Sequence, residues 1–247
     1  MKYKDRLSKI SLEQKNGDFY YNNLTKHISA PLTSILSYTP LTPNMATLTM
    51  FFFGISGAFF FSYGTPYGYL YGGTSFVLLI LADTVDGELA RFQEKSSLFG
   101  DYFDRLAHYT TNPLLFLGLG IGLYSNFGNI IFIYLSSLAM IFYLLDDLSR
   151  DLVITSGLSK IKNRKEQKEK MSITNDSHLR KFLSNTGSNT AFFHIIIFSA
   201  LIDIILLQYF YANTNLLVSH FYIGYFMLLT VGKFFFRIPK IWSLKNI

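Results

Sequence analysis

The chain has 247 residues, of which 50% are hydrophobic, 17% aromatic and only 15% charged, and it contains no cysteine. Soluble globular domains carry roughly 25% charged residues, so this chain is too poor in charge for an ordinary soluble surface and far too apolar for a disordered protein. The missing cysteine excludes a disulfide scaffold and any Cys-ligated zinc or iron–sulfur site, and the net charge of +6 directs attention to where the 22 basic residues lie.

The first segment, residues 1–44, is mostly polar and holds six of them: Lys2, Lys4, Arg6, Lys9, Lys15 and Lys26. It has no apolar core of the length a signal peptide needs. Leu7 and Ile10 stand at helical spacing with Leu12 close by, and Tyr20, Tyr21 and Leu24 follow. This pattern predicts a short amphipathic segment on the cytoplasmic membrane surface, drawn to anionic headgroups by its lysines. The apolar stripe is thin, and a frayed tail is the alternative.

Three long stretches come next. Met45 to Ala82 and Leu106 to Leu145 carry no charge, and Gly187 to Gly232 carries only Asp203. A spanning helix takes about 20 apolar residues, so each stretch predicts a hairpin of two. Each is broken near its middle by turn formers, at Tyr63–Gly68, Tyr124–Asn129 and Tyr211–Asn215. The expectation is an all-α polytopic membrane protein, one domain over 1–247, with six transmembrane helices near 45–63, 67–90, 98–124, 129–149, 188–211 and 215–235. The three breaks lack Lys and Arg, and the four remaining segments hold all 22. The positive-inside rule then places both termini, the loop near residue 95 and the basic loop at 150–187 in the cytoplasm. That last loop, with Lys160, Lys162, Arg164, Lys165, Lys168 and Lys170, is too charged to pack and reads as a solvated connector. Topology already requires a basic cytoplasmic loop, so no nucleic-acid partner is expected.

The charges that matter chemically gather where the second span meets the third. Asp83 and Asp86 are at i, i+3 on one helical face, Gly87 and Ala90 continue that face with almost no side chain, and Arg91 follows. Across a short loop, Gly100, Asp104 and His108 repeat at i, i+4, i+8 on the next helix. Two antiparallel neighbours can bring these faces together. Three carboxylates that close repel one another unless a cation sits among them. Carboxylate ligation favours Mg²⁺ or Mn²⁺, and two such ions can stabilise both oxygens of a phosphoryl displacement.

The pattern D-x2-D-G-x2-A-R-x8-G-x3-D resembles the signature of the CDP-alcohol phosphatidyltransferase family. Thr42-Pro43-Asn44, with Thr47 beyond, resembles the way that family opens its first span. The six-helix topology is also similar to the family's. The resemblance implies transfer of a substituted phosphate from a CDP-linked lipid, usually CDP-diacylglycerol, to an alcohol acceptor, with release of CMP. It implies that Asp83, Asp86 and Asp104 bind the divalent metal and through it the donor diphosphate. Gly87, Ala90 and Gly100 would admit the nucleotide, and Arg91 would neutralise phosphate charge. It further implies a homodimer embedded in membrane lipids. The last carboxylate of the signature, taken in the family as the base that deprotonates the acceptor, is His108 here. Histidine can serve as base or as ligand, or its presence can mark a catalytically silent scaffold protein.

Other polar residues read more plainly. Glu88 and Asp101 fall off the metal face and are expected to be solvated or paired with Arg105 or Lys95. Asp146, Asp147 and Asp151 read as interfacial charge, and Arg150 is in addition a candidate contact for an acceptor phosphate. Asp203 is costly inside a span and is expected to be protonated or bonded to a neighbouring helix. His194 and His220 read as packing residues and the phenylalanines as lipid-facing bulk. A transporter would place acids along a path through the midplane, and here they cluster at one end.

Overall fold

The computed structural model describes residues 2–12, 14, 25–155, 189–210 and 218–242. Every regular element among them is a helix: α1 (Tyr3–Leu12), α2 (Lys26–Leu36), α3 (Pro43–Phe61), α4 (Pro66–Phe92), α5 (Leu98–Phe127), α6 (Ile131–Thr155), α7 (Asn189–Phe210) and α8 (Val218–Trp242). The six long helices correspond to the six expected spans, and the protein is an integral membrane protein. Within α3, α4, α6, α7 and α8 lie segments long and apolar enough to cross a bilayer. Helix α5 is less apolar: it carries Asp101, Asp104, Arg105 and His108 in its first three turns and Thr110, Thr111, Asn112 and Pro113 just after them. The expected break at Tyr211–Asn215 and the basic loop containing Lys160 to Lys170 lie outside the described residues, as do Tyr20, Tyr21 and Leu24.

The helix starts follow from local chemistry. Thr42, Thr65 and Ser97 stand in extended conformation before α3, α4 and α5, and each side-chain oxygen accepts the amide of the third residue on. Pro43 and Pro66 take the first helical position, where the missing N–H costs nothing. Between α3 and α4, Gly64 has φ +67°, a left-handed conformation that suits glycine. Its carbonyl accepts the Asn126 amide at 2.6 Å, and the same amide donates to the Gly122 carbonyl at 3.0 Å. Helix α5 runs through the expected break at Tyr124 and ends at Gly128, also left-handed, whose amide donates to the Tyr124 carbonyl.

Glycine sets the helix spacing. A side chain on Gly118 would overlap the Ala58 carbonyl oxygen, and one on Gly122 the Phe61 carbonyl, so α5 lies backbone to backbone against α3. Such contacts suit membrane bundles, where packing replaces the hydrophobic effect between helices. On the other flank α4 packs on α7, α6 packs on α5, and α8 rests on α6 and α7. The core between them is built largely of phenylalanine. Phe61, Phe76, Phe116, Phe192, Phe193 and Phe226 are fully buried. Phe76 stacks on Phe193 with centroids 4.7 Å apart, and Phe192 on Phe226 at 3.9 Å. Phenylalanine is therefore core as well as lipid-facing bulk. Phe52, Phe59, Phe198 and Phe221 do face outward, as lipid contact requires.

Asp203 takes the second of its two expected roles. It is fully buried on α7 and accepts the amides of Val218 at 2.8 Å and Ser219 at 3.0 Å, the first two residues of α8. A carboxylate facing free amides at a helix N-terminus offsets its burial. His220 packs edge-on to Tyr69 and Phe127, as expected of a packing residue.

At the charged end one expectation is extended and one is corrected. The N-terminal segment holds a second helix, α2, whose Ser29, Ala30, Thr33 and Ser34 are buried while Ile28 and Ile35 point outward. Its buried face is made of small and hydroxylated residues while its two isoleucines look outward, so hydrophobic periodicity did not reveal it. Glu88 is not solvated. It is buried on α4 and accepts hydrogen bonds from Gln14, Ser29 and Thr33.

Candidate active site

The last turns of α4, the first turns of α5 and the start of α3 enclose a cavity of about 320 Å³. Asp83, Asp86, Gly87, Ala90, Arg91, Gly100 and Asp104 all line it. The local fold explains the convergence. The Ser97 hydroxyl accepts the Gly100 amide at 3.0 Å and starts α5 about two turns before Asp104. Helix α4 is closed by a turn in which the Lys95 amide returns to the Ala90 carbonyl at 2.9 Å. That turn takes Glu94 to φ 55°, the left-handed conformation that at helix ends usually falls to glycine. It also sets Lys95 on the cavity wall.

Two carboxylates and one imidazole come together. One ligand atom each from Asp83, Asp104 and His108 lie within 4.8 Å of one another. His108 Nε2 is 3.5 Å from Asp83 Oδ1 and 3.5 Å from Asp104 Oδ1. Asp104 Oδ1 is buried yet receives no hydrogen bond among the described residues, a costly state for a carboxylate oxygen unless a cation completes it. The donor set and this orphaned oxygen both fit a divalent ion. His108 is not among the side chains that line the cavity; it stands behind the Asp83–Asp104 pair.

Asp86 is held differently. It is buried, and its Oδ2 accepts a 2.6 Å hydrogen bond from the hydroxyl of Thr47 on α3. One turn of α4 thus sends Asp83 toward α5 and Asp86 toward α3. Gly87 follows Asp86, and an added Cβ there would lie 3.3 Å from Arg91 Nη1. The guanidinium folds back over that position, and its buried Nε has no partner among the described residues.

Three residues sequence reading passed over now belong to the surroundings. Thr47 was read only as part of the opening of a span, yet its hydroxyl fixes Asp86. Lys95 adds a second cation to the wall, and Asp101 lines the cavity without joining the metal group. Arg105 does not pair with Asp101. It pairs with Asp151 of α6, whose other oxygen accepts the Tyr109 hydroxyl at 2.9 Å. The side chain of Arg150 lies outside the described residues.

No curated protein matches the chain. The family model for CDP-alcohol phosphatidyltransferase does, over residues 40–219, from just before the Thr42 cap to the first turn of α8. That range covers the three-helix cavity and most of the bundle around it, and on this match the chain belongs to the CDP-alcohol phosphatidyltransferase family, whose members transfer phosphate-linked groups from CDP-alcohols.

Proposed function

We propose that this protein is a divalent-metal-dependent phosphatidyltransferase that moves a substituted phosphate from a CDP-linked lipid, CDP-diacylglycerol foremost, to a small polar alcohol. The acceptor hydroxyl attacks the phosphorus attached to the lipid alcohol. A new P–O bond forms, the diphosphate P–O bond breaks, and CMP leaves with the bridging oxygen. The active site and both termini face the cytoplasm, the donor's chains stay in the bilayer, and the enzyme works as a homodimer.

The observation that carries this reading is the grouping of Asp83, Asp104 and His108 within 4.8 Å beside a cavity of nucleotide size. Asp83, Asp86 and Asp104 would hold Mg²⁺ or Mn²⁺, two ions in the full complement. The metal when bound neutralises diphosphate charge and stabilises the oxygens that gain charge. Arg91 and Lys95 supply fixed positive charge at the cavity wall, preorganised for the phosphates. Gly87, Ala90 and Gly100 leave space for the ribose and base. His108 fills the signature position of the family's last carboxylate, where it takes the proton of the acceptor hydroxyl or completes the ligand set with Asp83 and Asp104.

The direct test uses purified protein in detergent with Mg²⁺ or Mn²⁺, CDP-diacylglycerol and a panel of alcohols (glycerol 3-phosphate, serine, inositol phosphate, ethanolamine). CMP release is expected with at least one acceptor, and its loss in Asp104→Asn or on chelation is expected too. No release with any donor and acceptor pair defeats the proposal and leaves a binding or scaffold role.

A further inference from the structure

Glu88 stands between the nucleotide-facing residues and the N-terminal helices. Its Oε1 accepts Gln14 Nε2 at 2.7 Å and Ser29 Oγ at 2.7 Å, and its Oε2 accepts Thr33 Oγ1 at 2.6 Å. The side chain is buried, at 2% exposure. Ser29 and Thr33 are one turn apart on α2, so a single face of that helix grips both oxygens. A carboxylate buried among neutral donors is an expensive way to join two helices, since apolar contact would do it at lower cost. Such a group is better explained by what it fixes.

Its neighbours are Gly87, one residue before, and Ala90 and Arg91, two and three residues after. All three line the cavity. Asp86, on the other side of Gly87, is tied to α3 through Thr47. The last two turns of α4 are thus held from two sides, by α3 and by α2. Further contacts join the N-terminal segment to itself and to the end of α4. The Arg6 guanidinium lies 3.9 Å over the Tyr38 ring and donates to the Ser37 carbonyl at 2.8 Å. Arg6 and Lys9 both approach the Phe92 ring, at 5.5 and 5.4 Å. The Gln93 amide donates to the Leu41 carbonyl at 3.1 Å.

We propose that Glu88 is a positioning residue of the donor site: the N-terminal helices clasp α4 through it and thereby set Gly87, Ala90 and Arg91 for the nucleotide diphosphate. The clasp acts on the donor alone, because it touches the donor-lining turn of α4 and none of its contacts reaches His108. It rests on the phosphatidyltransferase reading for the identity of the ligand.

The experiment compares wild type with Glu88→Ala, Glu88→Gln and Thr33→Val, each purified in detergent and checked by melting temperature. KM for CDP-diacylglycerol, KM for the acceptor and kcat are measured, with CDP affinity by calorimetry as a second readout. Glu88→Ala and Thr33→Val are expected to raise donor KM and weaken CDP binding by about tenfold, the contribution of one charged hydrogen bond, while acceptor KM stays unchanged. Glu88→Gln keeps an acceptor oxygen and adds a donor that the Thr33 hydroxyl can accept, so it should recover most of the affinity. If Glu88→Ala does not fold, Thr33→Val and Glu88→Gln decide. Folded variants with wild-type donor KM and CDP affinity overturn the clasp and leave the enzyme reading intact. A wild-type protein that neither releases CMP nor binds CDP overturns both.

Discussion

At the scale of single residues, the site turns on His108, which stands where the family signature ends in a carboxylate. Its Nε2 is equidistant from Asp83 and Asp104 at 3.5 Å, close enough to complete a ligand set with them, and the position it fills is the one the family resemblance reads as the base. The two roles separate in one variant. His108→Ala is expected to lower CMP release by a factor on the order of a hundred, the usual contribution of a general base, while Mn²⁺ affinity measured by electron paramagnetic resonance stays near that of wild type. Joint loss of Mn²⁺ binding and turnover would make His108 a ligand instead. Most of this site was legible in the sequence, because spacing on two antiparallel helices fixes which carboxylates can meet. Asp83, Asp104 and His108 come together for that reason. Glu88 and Thr47 were not legible, because their partners are distant in sequence. Gln14 is 74 residues from Glu88, and Thr47 is 39 residues from Asp86. A single chain offers no periodic signal for such pairs.

At the scale of helices, charge and apolar length foretold the six long segments. What periodicity missed was α2, since its buried face is Ser29, Ala30, Thr33 and Ser34 while Ile28 and Ile35 look away from the protein. Packing within the bundle was equally invisible, because Gly118 and Gly122 are indistinguishable in sequence from any glycines of an apolar run. The structure gives them a specific burden. Their missing side chains let α5 lie against the carbonyls of Ala58 and Phe61, and a backbone carbonyl in a helix cannot rotate away. Gly118→Ala is therefore expected to force α3 and α5 apart and to cost about 1–3 kcal/mol, as overpacking of a dense interior does. The measurement is the thermal midpoint in detergent. Gly128→Ala, where nothing lies within 4 Å of an added Cβ, isolates backbone strain from crowding, and it should lower the midpoint less. Equal midpoints for Gly118→Ala and wild type would remove the close contact from the account of stability.

At the scale of the whole molecule, the 22 basic residues report orientation. Helices alternate in direction, so the ends at Pro43, Phe92, Leu98, Thr155, Asn189 and Trp242 share one side of the bundle. All the basic segments connect to that side, and the turns at Gly64 and Gly128 belong to the other. Confinement of Lys and Arg to one side is the condition under which the positive-inside rule acts most strongly, and the same face carries the cavity and the Asp83–Asp104–His108 cluster. The absence of cysteine makes this orientation directly testable, since any introduced thiol is unique in the chain. Single replacements Lys4→Cys, Ser96→Cys and Asn129→Cys each sit outside the apolar cores. In intact cells a membrane-impermeant maleimide is expected to label Asn129→Cys and to leave the other two until the membrane is permeabilised. Labelling of Lys4→Cys and Ser96→Cys from outside would invert the topology. It would then place the nucleotide cavity where no cytoplasmic CDP-linked headgroup can reach it, and the proposed reaction would lose its donor.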